Sequence, residues 1–373
     1  MIKVVHFIHG LNMGGAETLV KDYALLIDKN KFETIVLCLN HENSPYEKML
    51  EESGIQVICL RDRMPLGYKK GLVAKVVNHY ELYFEVRKVL RTLKPDILHV
   101  HLELNRYVSF CRLPKTTRIF YTNHHTVARW KEEKADVRAM RKLIRTYPTR
   151  IIALTQEMKK EIDTLFNVES TAVLNNGIDL SRYEECIDRN KKRKELGVPI
   201  NAFVVVHVGR FNPIKNHMFL IDVFEQIKKK KPEAFLLMVG KGDTEKEAWI
   251  ELNKKHLEKS AMILHDRKDV PEILLASDAA LFPSISEGLG IAVIEMQAAG
   301  LPCVASKGVP QTAKVSNKIR FLGLDQGLKA WANELLVLTK EDKPIQYENL
   351  QEWDIRQNVK ELEKMYEEAM RNV

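Results

Sequence analysis

Apolar residues in this chain follow two rhythms that take turns. Short runs that are apolar at nearly every position, such as "KVVHFI", "ETIVLCL" and "IQVICL", alternate with longer stretches such as "AETLVKDYALLIDKN" and the segment from Pro45 to Glu52. The first rhythm suits strands buried on both faces. The second, with apolar residues recurring at helical spacing, suits helices laid over them, so the alternation predicts βαβ units and a parallel sheet. "DILHVH", "RIFYTN", "RIIALT" and "TAVLNN" continue the first set of strands. From Asn175 to Ala202 the rhythm breaks into turn residues, dense charge and a short helix, which reads as a linker between domains. A second alternation follows through "FVVVHVG", "KNHMFLIDVFEQIKKKK", "AFLLMVG", "AMILH", "AALFPS", "GIAVIEMQAAG" and "PCVAS". The expected architecture is therefore α/β, with two doubly wound parallel-sheet domains in tandem. Ile355, Val359, Leu362, Tyr366 and Ala369 fall on one face of a terminal helix that should dock on a core.

Length agrees with two cores, since 373 residues exceed what one domain usually holds. The expected division is 1–177, with 355–373 packing back on it, and 178–354. No apolar stretch reaches the length of a spanning helix and the start lacks the pattern of a signal peptide, so a cytoplasmic protein is expected. The five cysteines are scattered without Cys-x-x-Cys spacing, which fits reduced thiols rather than a disulfide framework or a zinc site. A net charge of +8 predicts attraction to anions and leaves acidic lipid and phosphorylated metabolites both open. Nucleic acid is not expected, because no RNA- or DNA-binding module is recognisable. The segments "RDRMPLGYKKGLVAK" and "VRAMRKLIRTYPTR" mix cations with apolar residues, as a surface resting on anionic lipid would, although ordinary amphipathic helices read the same way.

In open α/β sheets ligands bind beyond the carboxyl ends of the strands, so the residues just after each run carry the candidate chemistry. Gly10, Gly14 and Gly15 follow the first strand and lead into a helix. Such glycines either let the backbone approach an anion or simply make a tight turn, and their spacing is not that of a dinucleotide fingerprint. Arg210 and Lys215 follow "FVVVHVG" and could clamp a diphosphate or stay solvated. Glu287 and Glu295 bracket "GLGIAVI": either they accept hydrogen bonds from ligand hydroxyls, or Glu287 caps a helix and Glu295 lies exposed on it. His99 and His101 end one strand, and His124 and His125 follow another. Neighbouring strand residues face opposite ways, so a four-histidine metal site is disfavoured against one histidine that hydrogen-bonds a ligand or a satisfied structural histidine. No Asp-x-Asp pair is present to hold a divalent ion on a nucleotide diphosphate. No metal or cofactor is expected.

Together these pieces resemble the retaining glycosyltransferases of family 4, whose GT-B architecture has two Rossmann-like domains facing across a cleft. "GGAE" at Gly14–Glu17, "NGID" at Asn176–Asp179, Arg210 with Lys215, "VGKGD" at Val239–Asp243 and "SISEGLGIAVIEMQAAGLPCVAS" occur in the family's order. The resemblance implies a donor diphosphate on Arg210 and Lys215, ribose on Glu295, and the donor sugar on Glu287 with the backbone of Gly288, Leu289, Gly290 and Ile291. It also implies donor contacts from Gly15, Gly240, Arg267 and Val270, a contact near the anomeric carbon from His124, and an acceptor side that includes His125 and His101. "KGVPQTAKVSNKIRFLGLD" departs from the family pattern by lacking its later glutamate, and this variant is similar to a branch associated with bacterial exopolysaccharide and capsule assembly. The implied reaction moves a sugar from a nucleoside diphosphate, UDP before GDP, to an acceptor hydroxyl without metal. The implied acceptor is lipid-linked, at the inner face of the cell membrane. A non-catalytic accessory protein or sensor and a nucleotide-sugar epimerase are the other readings of the same fold.

Overall fold

In the computed structural model, residues 1–12, 14–64 and 72–371 are described, with only the backbone described at 72–76 and 131. The chain divides into one unit of Met1–Gly177 with the segment from Ile355, and a second of Ile178–Asp354.

In the first unit the apolar runs become β1 (Ile2–Ile8), β2 (Phe32–Cys38), β3 (Gln56–Cys59), β4 (Ile97–His101), β5 (Arg118–Thr122), β6 (Thr149–Ala153) and β7 (Ala172–Val173). All neighbours pair in parallel, in the order β3-β2-β1-β4-β5-β6-β7. Every residue of β4 and β5 is buried, as the uninterrupted apolar runs require of strands covered on both faces. The terminal helix Ile355–Arg371 lays Ile355, Val359, Leu362, Met365 and Tyr366 against Val4, Tyr23, Ile97 and Phe120. Its backbone is tied down as well, since Arg118 Nε donates to the Ala369 carbonyl at 2.8 Å.

The second unit holds β8 (Phe203–Val208), β9 (Ala234–Val239), β10 (Ala261–Leu264), β11 (Ala279–Phe282), β12 (Cys303–Ser306) and β13 (Ile319–Leu322). They pair in parallel in the order β10-β9-β8-β11-β12-β13. β13 lies in a stretch to which the alternation assigned no strand. In both units the order runs outward from the first strand, then reverses beside it, between β1 and β4 and between β8 and β11. At such a reversal the connecting loops diverge and leave a crevice beyond the carboxyl ends.

Asn175–Ala202 is not a free linker. From Ile178 onward it belongs to the second unit, with a 3₁₀ turn at Leu180–Tyr183 and a helix at Arg189–Leu196. Arg193 is buried there, donating to the carbonyls of Ala276, Ile200 and Ala202 and to Asp278 Oδ2 at 2.7 Å. Much of the segment's charge is exposed, but Arg193 is buried and satisfies its guanidinium on carbonyls and a carboxylate of the domain, as a buried guanidinium must.

Candidate active site

In the second unit the site grows from the loops after β8 and β11. Asn212 caps a tight 3₁₀ turn, its Oδ1 accepting from the Lys215 N–H at 3.0 Å, and Asn216 turns left-handed at φ 57° to start the helix His217–Lys230. This fixes Lys215 at the crevice, where its ammonium donates to Glu287 Oε1 at 2.7 Å and lies 4.7 Å from the centre of the Phe282 ring. The same carboxylate oxygen accepts from the Ser284 hydroxyl, while the Glu287 N–H donates to the Gly308 carbonyl at 2.9 Å. The Ile285 N–H donates to the Ile214 carbonyl at 2.7 Å, so the two loops are joined through their backbones. Arg210 is exposed two residues beyond β8 and has no carboxylate partner among the described residues. An anion reaching this edge meets one uncommitted guanidinium and one ammonium held by a single exchangeable ion pair.

Glu287 does not cap a helix. That position belongs to Gly290, which at φ 78° starts the helix Ile291–Ala298 and leaves its first N–H groups without a side-chain cap. Gly288 and Leu289 form the connecting bend, and Leu289 is buried. Glu295 is half-buried one turn into that helix, and its charge acts on the Tyr183 phenol nearby. Burial and the Glu295 charge push the Tyr183 phenol well above its ordinary range. Tyr183 escaped the sequence reading because it lies in the stretch taken for a linker. Gly240 sits where β8 and β9 end together: at φ 151°, a Cβ there would lie 2.1 Å from the Gly209 carbonyl oxygen. Arg267 joins a different cluster, with Nε 2.8 Å from Asp269 Oδ1 and a longer contact of 3.5 Å to Glu195. Burial of Asp269 pushes its carboxyl up, but Arg267 and Lys192 outweigh that and hold it at about 2. Val270 opens the short helix Val270–Leu275 beside this cluster.

In the first unit Gly15 opens the helix Gly15–Leu26 with free space around it, beyond the end of β1. The histidines form a connected cluster. Parallel register sets His6 of β1 beside His99 of β4. His6 Nδ1 is 3.1 Å from His101 Nε2, and His101 Nδ1 is 3.1 Å from His124 Nε2. His99 stacks on His101 with centroids 4.2 Å apart and bonds the Tyr366 hydroxyl at 2.5 Å and the Thr122 hydroxyl at 2.7 Å. Burial keeps these rings neutral, lowering His6 and His124 to about 3 and His99 and His101 well below the usual imidazole range. Ring nitrogens of His6, His99 and His101 lie close enough together for a metal, but both nitrogens of His99 are already hydrogen-bonded and its ring lies over that of His101. Lone pairs in stacked planes do not converge on one ion, so the geometry is that of a hydrogen-bond chain.

His101, expected on the acceptor side, is corrected by this arrangement: it is fully buried and both nitrogens are engaged by other imidazoles, leaving no atom for a ligand. His124 is half-buried at the outer end of the chain. His125 points elsewhere, 3.5 Å from Glu103, a carboxylate that also takes Arg129 Nε at 2.8 Å. Glu103, His125, Arg129 and Trp130 line one small pocket of this unit. The sequence reading missed His6, whose only signal was a polar residue inside an apolar strand.

Two family profiles divide the chain between them: Glycosyltransferase Family 4 matches residues 13–182 and Glycosyl transferases group 1 matches residues 188–324. The capsular polysaccharide biosynthesis glycosyltransferase CapH of Staphylococcus aureus is 25% identical over 98% of this chain and 99% of its own. An Escherichia coli UDP-Gal:alpha-D-GlcNAc-diphosphoundecaprenol alpha-1,3-galactosyltransferase is 27% identical over 82% of this chain and 79% of its own. Among solved structures, HepE of Anabaena in complex with UDP and glucose superposes with a TM-score of 0.75 at 21% identity, covering 99% of this chain and 100% of that one, a likeness of fold. With both halves matched in the expected order, the chain belongs to the group 1, family 4 glycosyltransferases of GT-B fold.

Proposed function

We propose that this glycosyltransferase moves a sugar from a uridine diphosphate donor to a hydroxyl of a lipid-linked saccharide, with retention of anomeric configuration and without metal, in capsule or exopolysaccharide assembly. The observation that carries the reading is the Lys215–Glu287 pair at the β8/β11 reversal. A departing diphosphate would take Lys215 and Arg210, the freed Glu287 would accept from donor-sugar hydroxyls, and the N–H groups after Gly290 would donate to ligand oxygens. Glu295, with Tyr183 behind it, would accept from the ribose. The acceptor oxygen bonds to the anomeric carbon as the bond to phosphate breaks, and the acceptor proton passes to the departing phosphate oxygen on the same face. No protein nucleophile enters. Cations preset at the developing negative charge stabilise the transition state more than the ground state.

The relatives support the choice of partners: the Anabaena protein binds UDP and glucose, and the Escherichia coli enzyme's name specifies UDP-Gal and a diphosphoundecaprenol acceptor. Lys215→Ala should slow turnover by about 10²–10³-fold, or ~3–4 kcal/mol of barrier. A wild-type rate would remove Lys215 from this role. A melting-temperature screen with UDP, GDP and ADP should move most with UDP, because a ligand bound only by the folded state raises its stability.

For the membrane contact, support comes from a groove of about 310 Å³ in the first unit, lined by Arg87, Phe110, Arg112 and Lys142. None of these three cations has a carboxylate partner among the described residues, and Phe110 is 59% exposed. No described helix is long and apolar enough to cross a membrane. Of the two basic segments, residues 65–71 fall outside the described residues. Vesicles with anionic lipid should retain the protein, and Arg112→Glu with Lys142→Glu should weaken retention by ~1 kcal/mol per charge. Equal retention on neutral vesicles would refute the contact.

A further inference from the structure

The imidazole chain in the first unit has a direction. A neutral imidazole carries one N–H and one lone pair, so each ring donates on one side and accepts on the other. His101 uses both nitrogens, one toward His6 and one toward His124, so its tautomer dictates theirs. Only two polarities exist. If His124 donates inward through Nε2, His101 donates through its own Nε2 and His6 must carry its proton on the remaining nitrogen, its Nε2. That atom is buried and has no partner among the described residues, so this polarity buries an unpaired N–H. If His6 donates outward through Nδ1, the same buried atom is only an unused lone pair. His101 then donates through Nδ1 to His124 Nε2, and the proton of His124 is forced onto Nδ1.

The two ends are not equivalent in cost, because an unpaired buried N–H is rarer in proteins than an under-satisfied buried acceptor. At the outer end, His124 is only half-buried, and its Nδ1 has no hydrogen-bond partner among the described residues and is not among their buried unpartnered atoms, so it is open to a ligand. We propose that His6 and His101 are positioning residues that fix His124 as the Nδ1–H tautomer, so that it offers a ligand hydroxyl a hydrogen-bond donor and not an acceptor. His99 steadies the chain from the side, stacked on His101 and held by Tyr366 and Thr122. The sugar hydroxyl it meets must then accept from His124 and give its own proton elsewhere. This rests on the reading in which His124 touches the donor sugar; the tautomer itself does not.

The test uses the whole chain labelled with ¹⁵N-histidine, observed through two-bond ¹H–¹⁵N couplings near neutral pH without ligand. His6, His101 and His124 should all appear protonated at Nδ1. A proton on Nε2 of His124, or exchange between its two tautomers, overturns the proposal. Kinetics supply the second arm. His6→Asn keeps a donor near the place of Nδ1 and should retain kcat and the His124 tautomer. His6→Leu should lower kcat by about 10-fold with little change in donor KM, the size expected for losing a group that orients another. Equal loss in both variants, with His124 still protonated at Nδ1, would show that His6 acts only as packing and sink its positioning role. An unchanged rate in His124→Ala would instead remove the donor-contact reading, while the spectrum decides the tautomer independently.

Discussion

The two sheets share a strand order, yet the chemistry gathered around each reversal is opposite in kind, lying after β8 and β11 in the second unit and within β1 and β4 and after β5 in the first. In the second unit it is ionic and half-exposed: Lys215 and Glu287 hold one another, and Arg210 waits in solvent. In the first it is neutral and mostly buried, a row of imidazoles with only His124 reaching outward. A part-buried ion pair at a crevice edge can exchange its partner for a ligand's charges. A buried neutral chain cannot rearrange without leaving polar atoms unpaired, and so it holds its geometry. One topology thus supplies a place where charge is traded and a place where orientation is kept.

The largest effect should come from reversing charge at the exchangeable pair. Lys215→Glu sets two carboxylates together where a diphosphate is proposed to bind, and like charges in a site cost several kcal/mol. UDP affinity of the folded protein, measured by calorimetry, should fall by at least ~10²-fold. Retained affinity would mean that the pair is structural, and the contrast between the two units would fail.

Acid should act the other way round, on the first unit more than the second. His6, His99, His101 and His124 have folded-state values far below the unfolded value near 6.5, so the unfolded chain binds more protons as pH falls. Their contribution is complete above that value and is lost progressively as pH falls from about 6.5 toward about 3, at ~1.4 kcal/mol per pH unit for each ring that only the unfolded chain protonates. The second unit has His207, held at about 4, and His217, held at about 2, both by burial. Unfolding followed by probes in each unit between pH 7 and 5 should therefore show the first unit losing stability more steeply. Equal slopes would contradict the burial assigned to the cluster.

The smallest change is Tyr366→Phe, which removes the hydroxyl bonded to His99 Nδ1 and keeps the ring against Phe120. A stability loss of ~1–3 kcal/mol is expected from the imidazole atom left unpaired, with UDP affinity unchanged. A fall in affinity without a fall in stability would link the cluster to donor binding in a way this comparison does not allow.

Much of this was legible in the sequence, because strands covered on both faces leave apolar runs and because Arg210, Lys215, Glu287 and Glu295 follow such runs directly. The terminal helix was legible from its spacing. What could not be read depends on neighbours far away along the chain. His6 becomes part of a cluster only when parallel register sets β1 beside β4. Tyr183 comes near Glu295, and Arg193 finds Asp278, across 112 and 85 residues of chain. Charge density alone does not distinguish a solvated connection from a segment whose cations satisfy buried carbonyls. The family resemblance implies an acceptor contact from His101, but its two imidazole neighbours make it unavailable.

The terminal helix has a consequence for how this polypeptide emerges from the ribosome. Tyr366 is fully buried among residues that precede the second unit, including Phe120 and His99, and it is itself synthesised after that unit. The first unit is therefore completed only after the whole second unit has been translated. Until then its apolar surface around Val4, Tyr23 and Ile97 stays uncovered, a window in which the nascent chain is open to chaperones and to aggregation.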